Sequence, residues 1–190
     1  TDSGTVTVGG NLAATTDDNN GVITLDTLAV TGTIALATNS GGAAIIVNAT
    51  GIDFAASTLT GTLAATATTG NIIDTGIVSV TSTSNFTTSA SNATITLDST
   101  NVLAGAVTLS TTGSSANVTI DNGTTALILA ASSVGGNLTL LDGNASGITD
   151  SGTVTVGGNL AATTDDNNGV INMGTLAVDG TIALTTNGNG

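Results

Sequence analysis

Residues 1–23, "TDSGTVTVGGNLAATTDDNNGVI", return unchanged at residues 149–171. The copy runs on. Residues 1–42 and 149–190 differ only at Thr24/Asn172, Leu25/Met173, Asp26/Gly174, Thr31/Asp179, Ala37/Thr185, Ser40/Gly188 and Gly41/Asn189. A stretch copied 148 residues on must fit the same surroundings twice, and a period that long points to shorter periods inside it. Cutting before each turn-like start divides the period into six segments: 1–23, 24–47, 48–73, 74–97, 98–120 and 121–148. A seventh, 149–171, and a partial eighth, 172–190, begin the next period.

Apolar residues line up in columns through these segments. One column reads Val8, Val30, Leu59, Val80, Leu103, Val134, Val156, Val178. A second reads Leu12, Ile34, Leu63, Phe86, Val107, Leu138, Leu160, Ile182, and a third Ile23, Ile45, Ile72, Ile95, Val118, Ile148, Ile171. Around them apolar and polar residues alternate with period two, as in "TVTV" and "TIAL", the spacing of strands with one buried side. The chain is therefore expected to be all-β, a parallel β-helix (β-solenoid) with three short strands and about 23–28 residues per rung. No rung buries its apolar side alone, and stacked rungs share one core. A sandwich would have turns as frequent but gives no reason for the columns. At about 4.8 Å per rung, six rungs advance about 29 Å.

Segments three and six are the long ones and resemble each other, "GIDFAASTLTGTL" beside "ALILAASSVGGNL". The expected organisation is one long repeat, 1–148, made of two three-rung units, 1–73 and 74–148, with 149–190 starting the next copy of a continuous solenoid. The chain reads as a piece of a longer repetitive protein.

The alphabet narrows the chemistry. There is no Lys, Arg or His, all 13 acidic residues are Asp, and the formal net charge is −13. Nucleic acid is excluded as a partner, because phosphate binding releases counterions only to cationic side chains. Without His or Cys there is no zinc, haem or thiol chemistry of the ordinary kind and no Ser–His–Asp triad. No run of about 18 apolar residues exists to span a membrane as a helix. The expectation is that the chain is not an enzyme.

Two groups of aspartates are candidate metal ligands. Asp2, Asp26, Asp74, Asp98, Asp121 and Asp150 recur, with Asn48, at rung boundaries. Stacked in register they form a corner ladder whose neighbours repel by roughly 0.9 kcal/mol in water. An oxygen-seeking ion such as calcium relieves that repulsion. The other group, Asp17 and Asp18, belongs to "DDNNG" at 17–21, copied at 165–169. The plain alternative is that both groups make Asx turns and solvated loops. No cofactor is required. Threonine ladders of the ice-binding kind are the other option weighed, but no Thr-x-Thr position repeats through every rung.

The columns, the stretches "TDSGTVTVGGNL" and "ATGIDFAAS", and the "ITDSG" corners resemble the repeat regions of filamentous-haemagglutinin-like adhesins. These are giant bacterial surface proteins of the two-partner-secretion type. The resemblance covers the whole chain and implies a right-handed parallel β-helix at the cell surface or outside the cell. It departs from such repeats in having no Lys or Arg. The function expected is a structural repeat, a stiff extracellular shaft or filament of a bacterial adhesin. Its partners would be copies of itself, stacked end to end or within one chain, and cell-surface or matrix glycans. The alternatives are a carbohydrate-binding or polysaccharide-processing β-helix, and a calcium-stiffened or ice-binding solenoid.

Overall fold

The computed structural model describes residues 1–188; the side chains of residues 166 and 167 fall outside the description. The chain is a parallel β-solenoid, with no helix among the described residues, wound in about eight turns of roughly 22 residues. The described residues form 24 strands, which divide into two twelve-stranded parallel sheets. Each strand is short because period-two alternation lasts only a few residues before a Gly, Asn or Ser corner. Val154–Val156 shows the rule: Val154 and Val156 are buried and Thr155 is exposed. Asn20, Asn92 and Asn168 take positive φ (59°, 66° and 69°) in the connecting loops, a conformation Asn tolerates better than β-branched residues do.

Hydrogen-bonded partners fix the length of a turn. Leu12 lies beside Ile34, and Ile34 beside Phe54. In the same sheet Ile52 is followed by Ile72, Ile95, Val118, Leu138, Leu160 and Ile182. The strands Leu12–Thr15 and Leu160–Asn167, 148 residues apart in sequence, are therefore seven turns apart. Six rungs of 23–28 residues were expected, so the turn is shorter than the segment. The axial advance per period becomes about 34 Å rather than about 29 Å.

Seven is odd, and this decides where the columns go. Half a period is three and a half turns, so equivalent residues of the two half-units land on opposite sheets. In the first column, Val8 and Val30 stack in one sheet, Leu59, Val80 and Leu103 in the other, and Val134, Val156 and Val178 in the first again. The second column also changes sheet twice: Leu12 and Ile34, then Leu63, Phe86 and Val107, then Leu138, Leu160 and Ile182. Within it Phe86 is two residues out of register, since Leu63 pairs with Ser84 and Phe86 lies between Ala65 and Leu109. In the third column Ile45 points outward and is exposed, and Ala44 takes the place beside Ile23. The half-units are thus related by a half rotation about the solenoid axis with an advance of about 17 Å.

Both sheets turn their apolar sides to one core, where Ile34, Leu63, Val107, Ile120 and Leu140 are buried among many others. Each such side chain contributes roughly 1.5–3 kcal/mol. Phe54 and Phe86, from opposite sheets, meet edge to face with ring centroids 6.2 Å apart. Phe86 fits because its neighbour in the adjacent turn is the small Ala65.

Candidate functional site

The polar residues that matter hold one turn to the next. Asp74, buried at the end of the strand Ile72–Asp74, accepts the backbone N–H groups of Asp98 (2.9 Å) and Ser99 (3.2 Å) and the Asn101 amide (2.7 Å). Asp2 accepts the N–H groups of Asp26 and Thr27 and the Thr27 hydroxyl. Asp150 does the same with Gly174 and Thr175. In all three cases the carboxylate clamps the corner of the following turn, 24 and 25 residues on. The Thr27 hydroxyl, helped by the N–H groups of Thr27 and Asp26, holds the Asp2 carboxyl below the usual range. Partial burial pushes Asp150 up, but the bonds from Thr175 and Gly174 outweigh it and the net shift is down.

The six rung-boundary aspartates do not form one ladder. Asp26 and Asp150 lie in strands of one sheet, Asp74 and Asp121 in strands of the other. The ladder is cut wherever the half-units change sheet. Asp98 is exposed, and Asp121 turns back to accept the N–H of Gly123 (2.9 Å). Asp17 and Asp18 sit on an exposed loop whose polar bonds use their backbone carbonyls. In the copy of that loop, the Asp166 side chain lies outside the described residues. Among the described residues no group of three acidic side chains could hold a metal ion.

A second set of clamps was not anticipated. Asn48, fully buried, accepts the N–H of Val30 (2.8 Å) and donates to the carbonyls of Val30 (2.9 Å) and Gly51 (2.6 Å). Asn122 repeats this in the other half, accepting from Leu103 and donating to the carbonyls of Leu103 and Thr125. Ser57 and Ser132 also match: each accepts from the previous turn, from Leu36 and Leu109, and donates to a carbonyl two residues back. At a solvent corner the Asn117, Asn137 and Asn159 side chains each accept an N–H from the next turn, from Asn137, Asn159 and Thr181. The sequence did carry a signal. Asn48, Asn122, Asp74, Ser57 and Asp142 each occupy the inward phase of a strand's alternation, where an apolar residue is the rule.

Threonines close the loops. Thr16, Thr38, Thr88, Thr111 and Thr164 each donate to a carbonyl four or five residues on. Asp142 takes the corresponding place in its own turn, almost fully buried, with N–H bonds from Leu127 (3.1 Å) and Asn144 (2.8 Å). Burial raises its carboxyl to about 6; the two N–H groups oppose the rise, and the charges of Asp165 and Asp121 add to it. The folded value lies above the unfolded one, about 3.8. Stability from this group is thus complete below about pH 3.8 and is lost as pH rises through about 6. Chemical denaturation between pH 4 and 7 should show Asp142→Asn gaining on the parent protein as pH rises, by up to about 3 kcal/mol. Parallel curves for the two proteins would remove this assignment.

On the outward side, Thr66, Thr87, Ser110, Ser133 and Thr155 form a hydroxyl ladder over five successive turns. It is flanked by Val47 and Ala177. These arrangements join one turn to the next.

A family model described as repeats of unknown function (DUF5649) matches residues 41–110 and 115–168. No curated protein and no solved structure matches the chain. The two matched stretches cover well over half of the chain, from the second turn into the second copy, and take in both half-units of the solenoid. The chain belongs to this family of repeats.

Proposed function

We propose that the chain is a structural repeat, a length of stiff shaft or filament belonging to a bacterial surface adhesin. It acts outside the cell or on its surface, without catalysis, and its principal partner is a further copy of itself. One observation carries this reading. The second copy is laid on the first by the same bonds that join turns inside a copy: across the junction the Asn137 side chain accepts the N–H of Asn159, as Asn117 accepts that of Asn137 within the first copy and Asn159 that of Thr181 within the second. Adding a copy adds length and no new chemistry.

The residue inventory supports the absence of catalysis, since the buried Asp, Thr and Asn side chains among the described residues, and Ser57 and Ser132, are bonded to backbone groups, Ser84 being the exception with an unpartnered hydroxyl. A charge of −13 with no cation keeps shafts apart in solution. The test is genetic and visual. One extra 148-residue copy inserted in the producing cell should lengthen the surface projection by about 34 Å in electron micrographs. A projection of unchanged length sinks the shaft.

A further inference from the structure

The half-units share their clamps but differ in two connections. Asn48 leads to Ile52 in four steps, whereas its counterpart Asn122 leads to Leu127 in five. Ala67 leads to Ile72 in five, and its counterpart Asp142 to Ile148 in six. Where the first half is short the corner is recessed. A groove of about 470 Å³ runs across three turns, lined by Thr31, Gly51, Asp53, Gly70, Asn71 and Ile73. This is within the range of small-ligand sites. No side chain can enter between the turns here. A Cβ on Gly51 would lie 2.7 Å from the Asn71 carbonyl oxygen, and one on Gly70 would lie 2.6 Å from the Gly51 nitrogen. The glycines bare the backbone to the groove.

The groups along it fall into three kinds. Asp53 supplies acceptors: one carboxylate oxygen takes the Thr75 hydroxyl (3.0 Å), and the other has no protein partner among the described residues. Donors come from Asn71. Its side-chain oxygen is fixed by the N–H of Thr94 (2.9 Å), which leaves its amide NH2 without a protein partner among the described residues. The backbone N–H groups of Gly51, Gly70 and Asn71 are likewise without one. Ile73, exposed on the same strand line as Asp53, adds an apolar wall.

These groups select by elimination. An anionic ligand meets Asp53 and a chain with no cation at all. A metal ion meets a single carboxylate. A flat aromatic ligand finds no ring to stack on. A neutral saccharide fits all three kinds: adjacent hydroxyls donate to the carboxylate and accept from the amides, and the C–H side of a ring lies on Ile73. We propose that this groove binds a neutral oligosaccharide, a role additional to that of the shaft and independent of it.

The test is calorimetric titration of the 190-residue chain with cello-, xylo-, manno- and chitopentaose, and with sulfated and uronic-acid oligosaccharides of equal length. At least one neutral sugar should bind with Kd below about 1 mM, and the acidic sugars should not. Asp53→Ala and Asn71→Asp should each weaken that binding at least tenfold. Asn71→Asp keeps the acceptor for Thr94, so the corner stays closed while the free donor is lost. Ser133→Ala, on the hydroxyl ladder, should leave binding unchanged, and thermal melts of the variants verify folding. Failure of every neutral sugar overturns the proposal. So does equal binding by the folded Asp53→Ala protein, or preference for the acidic sugars.

Discussion

Ile34→Asp should unfold the turns around it, at a cost above about 4 kcal/mol. Ile34 is fully buried between Leu12 and Phe54 of the adjacent turns. The change forfeits the burial of a large side chain, roughly 1.5–3 kcal/mol, and leaves a carboxylate in the core with no partner. The chain has no cationic side chain to compensate it. Val107→Asp should behave alike, since Val107 is the corresponding residue on the opposite sheet and is just as buried. Thr7→Asp, on the outward side of the first strand, should fall within about 0.5 kcal/mol. Urea denaturation compares the three. Equal losses at Thr7 and Ile34 would mean that the sides of the strands are assigned the wrong way round.

The second large effect is expected at an asparagine. Asn48→Ala leaves the buried Val30 N–H unpaired and removes one hydrogen bond each from the Val30 and Gly51 carbonyls, which keep the Thr50 hydroxyl as a partner. A buried donor left unpaired costs about 1–3 kcal/mol and the bonds lost by the two carbonyls add to it, so the total should be about 2–4 kcal/mol. Leucine at this position should not restore stability, because it fills the space and still leaves the Val30 N–H unpaired. Asn85→Ala, at an exposed outward position, should change little. If Asn48→Leu were as stable as the parent protein, the site would be ordinary core and the clamp would count for nothing.

These two residues also mark what the sequence makes legible. Ile34 announces itself, because an apolar residue in period-two alternation among β-branched neighbours has one physical reading. The solenoid follows from many such residues at recurring spacings. The number of turns does not follow. Aligning segments by resemblance superposes Val30 on Leu59 and Leu103 on Val134, yet these pairs lie on opposite sheets. Resemblance records where the chain repeats its letters; stacking records where it meets itself. The two coincide only if the unit is a whole number of turns, and here it is three and a half.

The single aspartate ladder is broken for a related reason. Asp2, Asp74 and Asp150 are equivalent, as their spacing suggested, but equivalence placed them on alternate sheets and turned each onto backbone N–H groups. The letter D announces a negative charge; that the charge is spent on the next corner depends on a neighbour 24 residues away. Asn48 was readable in principle as a polar residue in an inward phase. Its partners could not be named without knowing which strand lies above Val30.

The central claim is the winding, and cryo-electron microscopy of a tandem of several 148-residue copies tests it most directly. Seven turns per copy predict strands perpendicular to the axis, an axial repeat of about 34 Å, and the same features on the opposite side after about 17 Å. An axial repeat near 29 Å with six turns, or strands running along the axis, would contradict it.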